Sequence, residues 1–183
     1  TPLGTGQALA TVEGTLGADT KHILVINGDC PLVSSDSIHR LMECHENANA
    51  QMSLMTTEVV DPNGYGRINR DSNGNISGII EESEANADQL TIKEVNGGVY
   101  AFEVASLWSL LPNLKLSSNG EIYLTEMVEK VYQTKGITLA VPVADPHDIL
   151  GVNTRVDMAR AEAVMQNRIR NQVMFDGVTL IDP

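Results

Sequence analysis

His22-Ile23-Leu24-Val25-Ile26-Asn27-Gly28-Asp29-Cys30-Pro31-Leu32 is an apolar run that stops at a carboxylate. Residues 23–26 are all apolar and largely β-branched, which predicts a strand buried on both faces, as in a parallel sheet. In open α/β sheets ligands bind in the crevice at the carboxyl ends of strands, so Asp29 would stand at its mouth. Gly28 lets the backbone turn or approach a ligand closely, and Pro31 prevents the strand from continuing. The same residues are equally compatible with a strand that ends in a polar turn, Asp29 serving as an Asx-type cap.

Working outward, 183 residues suffice for one domain with a proper core. A hydrophobic fraction of 42% and a charged fraction of 20% are those of an ordinary globular protein. One Trp, two Phe and four Tyr are too few for a stacking platform on single-stranded nucleic acid. A net charge of −12 argues the same way, because binding to a phosphate backbone needs Lys and Arg. Phosphate-bearing substrates remain compatible with an acidic surface if a divalent cation mediates the contact. Cys30 and Cys44 fit no metal-ligand spacing, no stretch is long and apolar enough for a membrane span, and no signal peptide opens the chain; these predict a cytoplasmic protein. The start at Thr1, without Met, reads as a piece of a longer polypeptide.

Gly4-Thr5-Gly6 looks like a loop that opens a helix, with Ala8, Leu9 and Val12 on one face. A helix capped by Ser34-Ser35-Asp36 carries Ile38, Leu41 and Met42, and a second strand lies in 51–59. Strand, helix, strand implies a right-handed parallel crossover. His39 and His45 do not share a helix face and read as surface or boundary residues. Ile68 and 76–80 form a hairpin across Asp71-Ser72-Asn73-Gly74, with Glu81 directly after it. Asn96, Gly97 and Gly98 interrupt the strand over 95–102, which marks a bulge or a close ligand approach. Helices are expected over 104–111 and 121–132, a strand over 137–143, and a long helix after Thr154 that leaves Asn153 in the loop before it. The tail from Phe175 turns short-stranded again.

Seven segments in order, Leu3-Gly4-Thr5-Gly6-Gln7-Ala8, Gly28-Asp29-Cys30-Pro31-Leu32, Gly64-Tyr65-Gly66-Arg67, Ile79-Ile80-Glu81, Glu94-Val95-Asn96-Gly97-Gly98, Gly120-Glu121-Ile122-Tyr123-Leu124-Thr125 and Gly151-Val152-Asn153-Thr154-Arg155, carry a resemblance. Together they resemble the nucleotidyltransferase domain of the bacterial bifunctional N-acetylglucosamine-1-phosphate uridyltransferase / glucosamine-1-phosphate acetyltransferases. The resemblance implies a Rossmann-like α/β fold with a mixed, mainly parallel sheet and a small β-hairpin subdomain. It also implies uridylyl transfer from UTP to N-acetylglucosamine 1-phosphate, giving UDP-N-acetylglucosamine and pyrophosphate, in peptidoglycan synthesis. Asp29 and Asn153 would be ligands of Mg²⁺, a hard cation suited to oxygen donors. Gly4 and Thr5 would touch the uridine part, and Asn27, Gly28, Asp29, Gly66, Glu81 and Asn96 would hold the sugar nucleotide.

The sequence departs from that family in three respects. A Gly-rich loop of the type Leu-Ala-Ala-Gly-x-Gly-Thr-Arg-Met, followed by a Pro-Lys pair, holds the triphosphate in the family and has no counterpart here. The 183 residues alone are therefore expected to be impaired in turnover. Asn27 stands where an aromatic is common, and Gly97 where Thr is common. Residues 1–175 would form the partial transferase domain. Residues 176–183 would begin the connection to a left-handed β-helix, through which the complete protein would form a homotrimer. Another sugar-1-phosphate nucleotidyltransferase and a non-catalytic sugar-nucleotide-binding remnant are the alternatives.

Overall fold

The computed structural model describes residues 3–117 and 120–181, which form a six-stranded mixed sheet flanked by helices. The elements are α1 (Thr5–Ala10), β1 (His22–Ile26), α2 (Ser35–Asn47), β2 (Met52–Glu58), β3 (Arg67–Arg70), β4 (Ile76–Ile80), β5 (Glu94–Glu103), α3 (Val104–Leu110), α4 (Glu126–Gln133), β6 (Thr138–Pro142) and α5 (Arg155–Phe175). Strand order is β4-β3-β5-β2-β6, with β1 also paired to β5. No helix among the described residues is long and apolar enough to cross a membrane.

β5 organises the sheet. β2 runs antiparallel along one of its edges, from Met52 opposite Phe102 to Glu58 opposite Glu94. The other edge is shared: β1 pairs with residues 99–103, and β3 meets it only at Val95. Between them Asn96-Gly97-Gly98 lies in a fork of the sheet. The register against β2 also jumps there, from Leu54 opposite Tyr100 to Thr56 opposite Asn96, so β5 carries extra residues in a bulge. The glycines read from sequence as a bulge or a ligand approach thus sit where the sheet opens.

Alternation along β5 builds two cores, because successive side chains of a strand face opposite ways. Tyr100 and Phe102 join Met52, Leu54, Leu107, Met127, Val128 and Val131 beneath α3 and α4. Val99 and Ala101 join Leu41, Met55, Val141 and Ile149 on the side of α2. Both faces being covered, β2 is buried throughout except at Glu58, rather than on alternate residues.

Several expectations are corrected. β1 is only partly buried, with Ile26 40% exposed, and it pairs antiparallel, not parallel. β1 and β2 do point the same way, but β5 is inserted between them. The α/β class and mixed sheet therefore hold, while β2–β6 is the one parallel pair among the described ladders. Helix α4 starts at Glu126 instead of near Glu121, because Ile122 is held extended by backbone bonds to Leu3 (2.7 Å) and Gly6 (2.8 Å). His45 is fully buried, not a surface residue. Residues 178–181 form no strand, and Asp182 and Pro183 lie outside the described residues.

Candidate functional site

A cavity of about 230 Å³ opens at the fork in the sheet. The turn after β1 lines it with Asn27, Asp29 and Cys30, the loop before β3 with Gly64, Tyr65 and Gly66, the end of β4 with Glu81, and the bulge with Asn96 and Gly98. Tyr100, Tyr123, Thr125 and the loop carrying Ile149, Gly151 and Asn153 complete it, with Thr5 at one side. Backbone bonds hold the two lips to the free edge of β5: Asn27 N donates to Gly98 O (2.9 Å), and Asn96 N donates to Gly66 O (2.9 Å).

Asp29 and Asn153, far apart in sequence, meet here. Oδ2 of Asp29 and Nδ2 of Asn153 lie 3.9 Å and 3.6 Å from the point where a Cβ on Gly151 would be. Their loops are joined directly, Val152 N donating to Asp29 O (2.8 Å). Thr154 caps α5 in a capping box with Asp157, which ends the loop immediately after Asn153 and leaves its side chain exposed. Turning the Asn153 amide over exchanges Nδ2 for Oδ1. No group of three or more His, Cys, Asp or Glu gathers as a metal site among the described residues. Two oxygen donors on exposed loops suit a Mg²⁺ that takes its remaining ligands from water and substrate phosphate.

A second set faces them. Glu81 Oε1 accepts from Thr125 Oγ1 (2.7 Å), which turns Oε2 towards Gly66, 3.5 Å from where a Cβ there would lie. The Asn96 amide is fixed at both ends, Nδ2 donating to Tyr100 Oη (2.7 Å) and Oδ1 accepting from Gly98 N (3.2 Å). One amide hydrogen and one lone pair stay available, as hydroxyl or amide recognition requires. Burial pushes the Tyr100 phenol well up, with the Glu81 charge adding to it, so Oη stays protonated. Burial, then the neighbouring Asp29 charge, pushes the Cys30 thiol up to about 12. Cys30 is thus a buried thiol beside the turn and not a nucleophile.

Gly4 and Gly28 do not line the cavity. Gly4, at φ +100, backs onto Ile122, whose carbonyl oxygen lies 2.6 Å from the position of a Cβ. The Thr5 hydroxyl accepts from Leu124 N (2.9 Å). Sequence reasoning overlooked Thr125, Tyr100 and Tyr65, all of which line the cavity. Thr125 was within reach, since it closes the quoted segment 120–125.

Fold and site together define an α/β protein of the nucleotide-diphospho-sugar transferase type. Residues 1–146 match the Nucleotidyl transferase family, and the chain belongs to that family. Among curated relatives, Bifunctional protein GlmU of Heliobacterium modesticaldum is 40% identical over 99% of this chain, and that of Geotalea daltonii 35% identical over 99%. The chain spans only 40% of the length of each. A Bacillus anthracis structure described as a glucose-1-phosphate thymidylyltransferase in complex with sucrose matches the fold at a TM-score of 0.66 and 24% identity, covering 90% of this chain and 61% of that one.

Proposed function

We propose that this chain is the sugar-nucleotide part of a cytoplasmic enzyme that makes UDP-N-acetylglucosamine and pyrophosphate from UTP and N-acetylglucosamine 1-phosphate. One observation carries the reading: the crevice of a nucleotidyl transferase brings Asp29 and Asn153 to one point and faces them with Glu81, Asn96 and Gly66. The resemblance in seven segments and the 35% to 40% identity to GlmU relatives favour uridylyl transfer over other nucleotidyl transfers.

In such a reaction a phosphate oxygen of the sugar 1-phosphate attacks the α-phosphorus of UTP, and pyrophosphate leaves. The protein's contribution is positioning and charge complementarity. Glu81 Oε2 would accept from a sugar hydroxyl, and the preset Asn96 amide would read a second hydroxyl or the N-acetyl group. Gly66 leaves the space that a side chain would fill, since a Cβ there would lie 2.8 Å from Ile79 Cγ2 and face Glu81 and Asn96. Asp29 and Asn153 would hold Mg²⁺, which when bound neutralises phosphate charge.

The test is a substrate panel on the complete protein: UTP against other nucleoside triphosphates, and N-acetylglucosamine 1-phosphate against glucose 1-phosphate. Preference for UTP and the N-acetylated sugar supports the reading, and preference for another pair assigns a different transferase. A second reading, binding without turnover by these 183 residues, is favoured by the cavity lining, which contains no Lys or Arg. Calorimetry with UDP-N-acetylglucosamine, with and without Mg²⁺, separates binding from no binding.

A further inference from the structure

Behind the crevice, outside its lining, one side chain joins the two loops that supply Asp29 and Asn153. Arg168 projects from α5. Its Nη1 donates to Leu32 O (2.6 Å), three residues beyond Asp29, while Nη2 donates to Asp145 Oδ2 (2.5 Å) and Asp148 Oδ1 (2.7 Å). Asp145 caps the short 3₁₀ turn Pro146–Ile149, which leads through Leu150 to Gly151 and Asn153. Asp148 is 1% exposed, and its other oxygen accepts from Ser34 Oγ (2.5 Å), the cap of α2. Leu32, whose carbonyl the fork holds, and Ile149, next to Asp148, are each 2% exposed.

We propose that Arg168 is a positioning residue for the metal centre, setting the separation of Asp29 and Asn153 without touching either; this rests on their proposed role as ligands. The two loops are joined at three places. The Val152 to Asp29 bond lies next to the ligands, Ser34 to Asp148 ties the start of α2 to the turn, and the Arg168 fork lies between them on the Leu32 carbonyl. Without the fork, residues 30–33 are tied to the facing turn only at their two ends. A guanidinium can satisfy a carbonyl and two carboxylates from one plane, which an ammonium on a flexible stem cannot. Partners behind first-layer ligands set ligand orientation, and their loss typically lowers metal affinity about 10- to 100-fold.

The test uses the complete protein, saturated with UDP-N-acetylglucosamine and titrated calorimetrically with Mg²⁺, alongside sugar-nucleotide binding in EDTA. Arg168→Met is expected to weaken Mg²⁺ binding at least about 10-fold, and Arg168→Lys by less, while sugar-nucleotide affinity in EDTA stays unchanged. Asp145→Asn, at a partly exposed position that keeps the Asp148 contact, decides the matter if Arg168→Met does not fold, and a weakened Mg²⁺ affinity is expected there too. Unchanged Mg²⁺ affinity overturns the proposal, as does an equal loss of both affinities, which marks a merely structural role. A wild-type protein that binds no Mg²⁺ overturns the ligand assignment itself and the proposal with it. A wild type that binds while the variants bind equally well overturns the proposal alone.

Discussion

At Gly97 there is no room for a side chain: a Cβ would lie 2.5 Å from Ile149 Cγ2 and 2.9 Å from the Met55 carbonyl oxygen. Ile149 could yield, but backbone cannot, so the Thr common here in the resembled family is incompatible with this packing. Gly97→Ala is expected to cost about 1–3 kcal/mol in urea unfolding, and an unchanged midpoint would show that the bulge relaxes freely. Next to it, Cys30 should resist alkylation at mildly alkaline pH while Cys44, partly exposed, is modified first, as peptide mass spectrometry can follow. A folded-state thiol value raised from 9.0 to about 12 means that the neutral form is favoured by folding. The stability linked to Cys30 is therefore complete below pH 9.0 and is lost as pH climbs towards 12. Rapid labelling of Cys30 in the native protein would contradict its burial. Across the cavity, Thr125→Val frees the Glu81 carboxylate to rotate. It should weaken sugar-nucleotide binding in calorimetry by about 1 kcal/mol, the value of one hydrogen bond, without altering Mg²⁺ affinity.

Where α2, β1 and β2 meet, His45 fixes all three: Nδ1 bonds Ser53 Oγ (2.8 Å) and Nε2 bonds His22 Nδ1 (3.1 Å). Burial first, then the His22 ring, lowers the His45 value below 6.5, against the opposing charges of Glu46 and Glu103. A lowered value means that folding favours neutral His45, so its stabilisation is present above pH 6.5 and is lost as pH falls through the folded value. Acidification from about pH 7.5 to 5 should lower the urea midpoint more in wild type than in His45→Leu. Equal slopes would remove His45 from the account. His45→Leu should itself cost about 1–3 kcal/mol, because Ser53 is left buried without its partner. The burial of His45 was legible in the spacing, since it follows Ile38, Leu41 and Met42 on one helix face, whereas its polar partners His22 and Ser53 on β1 and β2 were not. The insertion of β5 between β1 and β2 was hidden likewise, because strand pairing is non-local and residues 99–103 lie far along the chain. Helix α4 began later than its apolar spacing suggested, since Leu3, Thr5 and Gly6 bind the backbone of residues 122–124. Locally coded features came through: Pro31 closing the Asp29 turn, Gly74 in the hairpin, Ser34 and Thr154 as caps. Asp29 and Asn153 each stand beside such a signal, though their role as ligands is what the family resemblance implies, and Tyr65 lies within the quoted segment Gly64-Tyr65-Gly66-Arg67, whereas Arg168 acts only through tertiary contacts.

For the molecule as a whole, a net charge of −12 and a cavity lined by Asp29 and Glu81 with no Lys or Arg set the electrostatic terms. A triphosphate entering such a site needs cations from outside the lining, so added Mg²⁺ should strengthen sugar-nucleotide binding by the 183 residues while pyrophosphate release from UTP stays far below that of the complete protein. Comparable release by both would show that the lining suffices for catalysis. α5 belongs to the same description: only Ala161 is buried along its length, and Arg168 is its polar tie to the crevice. The coupling of early and late chain at one ion is the centre of the account. It is tested most directly by an electron paramagnetic resonance titration of Mn²⁺, standing in for Mg²⁺, with wild type, Asp29→Ala, Asn153→Ala and the double variant. The expected result is one bound ion in wild type, weakened by either single substitution, with little further loss in the double variant because both residues serve one site. Unchanged Mn²⁺ binding in both single variants would contradict it.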